Sequence, residues 1–364
     1  TFEWDSDATS ATSTRSTIVA NAPTAAIETL VSTPDRHLVF FGTETTIGTT
    51  STQDDMYIRW SDQESIDAST SYTPSATNTA GTQRLADGTR IVAAIRGRDA
   101  IYVWTDTSLF VMRFVGAPFV FSFQQVGTNC GLIGKNAAVE VDGAAYWMSE
   151  NGFFRYTGKL ESLACLVEDY VYDDINTVPK NHIFAGLNNL FGEVTWFYPG
   201  SGAASNNRSV TYNYMDSTIE RPIWTTSSLA RSSWADSHIF GKPHGTEYDS
   251  SATSDATVGN TDGVTTYYEH ETGTNQIKAG ATTGIAASIQ SGDFDIGQQG
   301  ATMGAGNDGE YMMKIRRVIP DFLQQTGAAR VTLNLKNYPT DTEASSSLGP
   351  FTVDSDTTKI DTRA

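Results

Sequence analysis

RGRDAIYVWT (Arg96–Thr105), EVDGAAYWMS (Glu140–Ser149) and LFGEVTWFYP (Leu190–Pro199) are three copies of one pattern: a polar or glycine-bearing turn, then a short apolar strand rich in tryptophan and other aromatics. TPDRHLVFFG (Thr33–Gly42) and ADSHIFGKPH (Ala235–His244) are weaker copies. With Ile101, Ala144, Val194 and Ile239 as equivalent strand positions, the spacings are 43, 50 and 45 residues. A repeat of about 40–50 residues built only from strands is the signature of propeller blades. The expected fold class is all-β: a β-propeller of antiparallel four-stranded blades with an additional C-terminal β element.

Outward from these copies, Ile91–Ile95, Ile101–Trp104, Leu109–Phe114 and Phe119–Val126 read as one four-stranded meander. Ala137–Val141, Ala145–Met148 and Phe153–Tyr156 repeat it, joined by Asp-Gly and Glu-Asn-Gly turns whose residues tolerate positive φ. Leu163–Ile175 has apolar residues at Leu166, Val167, Tyr170 and Val171, a spacing that predicts a helix. Ile183–Leu187, Val194–Tyr198 and Val210–Tyr214 form a further blade ending at Ile223–Thr225. Ser232–Phe240 and Thr265–His270 form a poorer one, separated by the polar stretch Gly245–Gly263.

Towards the N-terminus, Leu38–Phe41 and Met56–Trp60 read as short strands. Ser61–Asp87 is a loop longer than a passive connection, expected to contact a neighbour or to order on assembly. Beyond Thr274, Ile285–Ile289, Asp293–Ile296, Met312–Ile319, Val331–Leu335 and Gly349–Val353 read as strands without tryptophan. They form either a separate, incomplete β-sandwich-like element or strands that pair back with Leu38–Trp60 to close the ring. The expected organisation is an extended N-terminal segment over 1–32, blades over 33–273 and a C-terminal β element over 274–364.

Composition bounds the function. The 364 residues are 39% apolar and only 18% charged, which suits many short strands joined by tight turns. The excess of 42 acidic over 24 basic residues gives a formal charge of −18. That argues against a surface that binds nucleic acid by neutralising phosphates, though not against one past which DNA slides. No apolar run approaches the roughly 20 residues of a membrane-spanning helix; Val115–Phe123 is broken by Gly116 and Pro118. The chain opens at Thr1 without a charged-then-apolar leader, and both ends read as continuing sequence.

Little in the sequence carries chemistry. His37, His182, His238, His244 and His270 are scattered, without metal-ligand spacing, and no GxSxG, P-loop or GxGxxG is present. Cys130, in GTNCG, has no local histidine and reads as a buried thiol; Cys165 lies 35 residues on, outside any CxxC pair, and pairing between the two stays open. Carboxylates neighbour one another at Asp54/Asp55, Glu168/Asp169, Asp173/Asp174 and Asp293/Asp295. Whether any of them converge at glycosidase distances is invisible to spacing. DYVYDD has the oxygen donors calcium takes, but a solvated acidic face is the plainer reading. Asn207-Arg208-Ser209 fits the glycosylation pattern without other signs of secretion. Basic residues gather at Arg84, Arg90, Arg96, Arg98 and Arg113, and at Lys314, Arg316 and Arg317. They could pair with acids of a neighbouring copy or lie exposed on turns. No residue is assigned a catalytic, cofactor-binding or metal-binding role, and the expectation is a protein that is not an enzyme.

The block Asp87–Gly134, together with VDGAAYWMSENGFFRYTG (Val141–Gly158), LVEDYVYDDIN (Leu166–Asn176), SGDFDIG (Ser291–Gly297) and IRRVIPDF (Ile315–Phe322), resembles the virion structural proteins of tailed bacteriophages. Among short-tailed phages the resemblance is to the tail nozzle. It implies a cyclic homo-oligomer, typically six copies, docked on a tail adaptor or other tail proteins in the virion. Genomic DNA would pass transiently through its channel, and the host cell surface is a further candidate partner. Two other readings compete: a glycan- or receptor-binding propeller whose Trp60 and Trp224 stack on sugars, and a propeller-type glycosidase. The latter lacks the repeated Asp-box turns of sialidases.

Overall fold

The computed structural model describes residues 2–4, 16–33, 35–66, 68–236, 240–249, 264–278, 281–291, 314–322, 325, 327–338, 341 and 344–362. Its architecture is all-β, with four consecutive four-stranded antiparallel sheets and a three-stranded fifth, each paired in simple chain order. Sheet I comprises Glu28–Ser32, His37–Phe41, Tyr57–Trp60 and Gly81–Arg84. Sheet II comprises Ile91–Arg96, Ile101–Thr105, Ser108–Gly116 and Val120–Thr128. Sheet III comprises Ala138–Val141, Ala144–Ser149, Gly152–Tyr156 and Leu160–Leu163. Sheet IV comprises Phe184–Asn188, Glu193–Tyr198, Arg208–Asn213 and Trp224–Ser227. Sheet V comprises Ser233–Ala235, His244–Asp249 and Val264–Glu269. The one α-helix among the described residues, α1 (Glu168–Asp174), joins sheets III and IV.

Strand chemistry explains the stacking. In Ile101–Thr105 every side chain is buried, so both faces of sheet II are covered. Alternation sorts them: Ile101 and Val103 belong to the cluster shared with Val39, Ile58 and Trp60 of sheet I, whereas Tyr102 and Trp104 belong to the one shared with Trp147 of sheet III. The next strand repeats this, with Phe110 and Met112 on one side and Leu109 and Val111 on the other. Trp104, Trp147 and Trp196 are fully buried, each removal from water worth about 4–6 kcal/mol before entropy is counted. Along one margin the first strands of successive sheets lie against each other in chain order: Glu28–Ser32 on Ile91–Arg96, then Ala138–Val141, Phe184–Asn188 and Ser233–Ala235.

Local chemistry fixes the turns. Asp142 and Gly143 both take positive φ (52° and 83°) in a two-residue hairpin turn, and Gly143 N–H donates to Glu140 Oε1 at 2.8 Å. Gly131 lets two chain segments meet, since a Cβ there would sit 2.1 Å from the Asp106 carbonyl oxygen.

Several expectations need correction. Sheet I is a full four-stranded sheet, because Glu28–Ser32, expected within an extended N-terminal segment outside the blades, pairs with His37–Phe41, and Gly81–Arg84 of the supposed long loop pairs with Tyr57–Trp60. Among the described residues no C-terminal strand joins it. The rest of that loop is fastened to its own sheet. Asp62 accepts from Thr79 N (2.8 Å) and Thr79 Oγ1 (2.6 Å), and the buried Arg59 guanidinium donates to the Tyr72 carbonyl (2.8 Å). In sheet V, His244–Asp249 forms a strand where a polar connection was expected; Ile239 lies outside the described residues. The predicted helix is present but shorter, at seven residues.

The C-terminal unit, 275–277 with 282–364, is a separate compact body by internal contacts. Ala329–Leu335 pairs with Ser346–Val353, and Arg317–Val318 pairs with Ile360–Asp361. Ile285–Ile289 is not a strand; its apolar residues are exposed, and the nearby hairpin is Asn275–Lys278 with Ala281–Gly284. Asp293–Ile296 and Met312 lie outside the described residues.

Candidate functional site

A cleft of about 530 Å³ opens where the first strands of sheets IV and V approach each other. Phe184 and Ala185 come from the first strand of sheet IV, Ser233 from that of sheet V, and Tyr248 from the strand beside it. Asn136, Asn181, His182 and Asn206 come from the connections around them. The backbone ties this margin together, with Ala185 N–H donating to the Asn136 carbonyl at 2.8 Å and Asn136 bridging Phe184 in parallel. No Asp, Glu, Lys or Arg lines the cleft.

Asn206 is buried there, and its Nδ2 donates to the carbonyls of His182 (2.7 Å) and Arg231 (3.2 Å). Two carbonyl partners require the amide nitrogen at that end, so the other end is the oxygen. That Oδ1 is buried and has no hydrogen-bond partner. His182 Nδ1 lies 3.0 Å from the Ala204 carbonyl oxygen, which places a proton on Nδ1 and leaves Nε2 as an acceptor in the neutral ring. Phe184 stacks one face on Phe197 (centroids 4.9 Å apart), and Tyr248 is 42% exposed.

Behind the cleft lies a buried charged group. Arg231 is 4% exposed, with Nη1 3.7 Å from Glu247 Oε2 and its guanidinium over the Tyr268 ring at 4.1 Å. Tyr268 OH donates to Glu247 Oε2 (2.9 Å), and Arg231 Nε donates to His270 Nε2 (3.0 Å). Burial, reinforced by the Arg231 charge, pushes the His270 imidazole down to about 4.

The residues singled out from the sequence fall elsewhere. Cys130 is buried and Cys165 half-buried; both are free thiols pushed up by burial, Cys165 to about 12. Asp54 forms an ion pair with Arg84 (2.7 Å) and Asp174 one with Arg208 (2.9 Å). Arg317 pairs with Asp361 (2.9 Å) within the C-terminal unit. Arg90, Arg96 and Arg98 are exposed. No group of three or more metal-ligating side chains occurs among the described residues, so DYVYDD gathers no such set. Asn207 Oδ1 accepts from Gly200 N–H at 2.8 Å, which ties it into the fold. Trp60 is 5% exposed and donates from Nε1 to the Thr79 carbonyl (2.9 Å); Trp224 is packed by Phe153, Trp196 and Tyr212 and donates to the Ala164 carbonyl (2.8 Å). Trp60 is thus buried and Trp224 half-buried.

One carboxylate pair was invisible in the sequence. Asn188 Nδ2 donates to Glu193 Oε2 (3.4 Å) and Glu271 Oε1 (3.1 Å), joining acids 78 positions apart in the chain. Burial raises Glu193 above the usual carboxylate range, and the Glu271 charge adds to it. Compared with protein-family models and with curated proteins, the chain matches none.

Proposed function

We propose that the five sheets are blades of a β-propeller and that the protein is a non-enzymatic structural component of a bacteriophage virion, a tail-nozzle ring through which DNA leaves. The observation that carries the reading is the margin of five first strands lying side by side in chain order. Sheets that meet along one margin and stack through large aromatics fan outward as blades do. Tryptophan indoles tie neighbours together: Trp196 of sheet IV donates to the Ala137 carbonyl (3.0 Å) at the start of sheet III, and Trp234 of sheet V to the Leu187 carbonyl (2.7 Å) of sheet IV. Such a scaffold withstands load without disulfides. The formal charge of −18 supports a lumen that repels rather than holds DNA.

The test is assembly. The purified full chain is expected to form rings in negative-stain images and a species of several hundred kilodaltons in light scattering. A particle that stays at the monomer mass of 39.4 kDa at every concentration would overturn the ring.

A further inference from the structure

We propose that the cleft between sheets IV and V is a binding site for a neutral oligosaccharide. The proposal stands apart from the ring, since every residue it uses belongs to one copy of the chain.

The chemistry of the walls selects the ligand. At about 530 Å³ the cleft falls within the roughly 300–1,000 Å³ typical of small-molecule sites. With no Asp, Glu, Lys or Arg in its lining, it has no side chain with which to compensate the desolvation of an ionic ligand. Its polar lining is of amides and hydroxyls, from Asn136, Asn181, Ser232 and Ser233. With its Nδ1 on the Ala204 carbonyl, a neutral ring of the exposed His182 presents Nε2 as an acceptor. The exposed Asn136 amide can both donate and accept, as each sugar hydroxyl also does. Aromatic surface completes the set: the half-buried Phe184 and the 42%-exposed Tyr248 ring offer apolar area for the C–H face of a pyranose. A hydroxyl-rich ring brings several groups that both donate and accept into one small volume.

The site differs from the one expected of Trp60 and Trp224, which pack against Phe121 and Phe153. It is built instead from amides, an imidazole and a tyrosine, none of which marks a sugar site by its spacing in the chain.

The experiment is a titration of the full-length protein, followed by saturation-transfer NMR and calorimetry. Neutral probes are maltotriose, cellotriose and chitotriose; acidic probes are sialyllactose and trigalacturonate. At least one neutral trisaccharide is expected to bind. Tyr248→Ala and Asn136→Ala alter exposed side chains and are each expected to weaken it by about tenfold. No saturation transfer to any neutral probe overturns the proposal. So does binding confined to the acidic probes, or neutral binding unchanged in both Tyr248→Ala and Asn136→Ala.

Discussion

Trp104, Trp147 and Trp196 occupy the same place on successive sheets, the fourth residue of each second strand, and all three are fully buried. Their polar handles differ. Trp147 Nε1 donates to the Cys130 carbonyl at 2.7 Å, whereas Trp104 Nε1 is buried without a partner. Trp147→Phe therefore strands a carbonyl as well as shrinking the side chain, while Trp104→Phe removes a desolvated N–H that nothing satisfied. We expect Trp147→Phe to cost about 1–3 kcal/mol more than Trp104→Phe in urea unfolding. Equal losses would mean that the indole bond contributes nothing and the repeat is held by shape alone. The repeat itself was legible at this scale because tryptophan marks it, but its frame is one residue off in sheet IV. The structural equivalent of Ile101 and Ala144 is Glu193, the first residue of its strand, rather than Val194. An acid at an otherwise apolar position hid the frame.

Among the elements, α1 shows how a short helix is held by tertiary contacts. Seven residues are too few to be stable alone, and its C-terminal Asp173 and Asp174 oppose the helix dipole. What holds it is buried Val171 together with Tyr172, whose OH donates to the Ser149 carbonyl (2.7 Å) and accepts from Gly152 N–H (3.1 Å) at a turn of sheet III. Tyr172→Phe removes both hydrogen bonds, and we expect a loss of about 1–3 kcal/mol by chemical denaturation. Sheet V rests on a different device. Arg231 Nε–H donates to His270 Nε2, which needs a neutral ring, and the folded imidazole titrates near 4 instead of its ordinary 6.5. Between these values the unfolded chain holds more protons, so stability falls as pH falls from about 6.5 towards 4 and is fully present above that window. The loss reaches about 2–3 kcal/mol at the acid end. Urea midpoints between pH 6.5 and 5, above the usual range of carboxylates, are expected to drop in the native protein and to drop less in His270→Gln. The elements legible in the sequence were those whose inner strands read YVWT, AYWM and VTWF. Gly81–Arg84 (GTQR) and His244–Asp249 (HGTEYD) were not, because outer and late strands carry polar side chains and declare themselves only by pairing. The cleft was hidden more thoroughly: its asparagines, serines and lone histidine come from separate stretches between Asn136 and Tyr248, and only the stacking of sheets IV and V gathers them.

At the scale of the whole molecule, among the described residues, sheets I–V draw every strand from residues 28–269, and Ala329–Leu335 with Ser346–Val353 and Arg317–Val318 with Ile360–Asp361 pair within the C-terminal unit. A chain ending after Ser291 should therefore keep its main thermal transition within about 2–4 °C, the shift that roughly 1 kcal/mol produces in a domain of this size. A collapse of that transition would mean that residues beyond 291 complete the core. Charge supplies the remaining argument. Copies carrying −18 each repel one another, and the reach of that repulsion shrinks from about 30 Å at 0.01 M salt to about 3 Å at 1 M. Contacts made by the exposed apolar side chains, such as Phe119 (77% exposed) at the tip of the long hairpin in sheet II, strengthen or hold as salt rises. If the ring closes through such contacts, the assembled fraction measured by analytical ultracentrifugation increases with ionic strength. If it closes instead through Arg90, Arg96 and Arg98 against the acids of a neighbour, added salt dissolves it, because exposed ion pairs are screened along with the repulsion. We expect the first sign, since three arginines cannot offset so large an excess of acid, and a fraction that falls with salt would put the interface on the arginines.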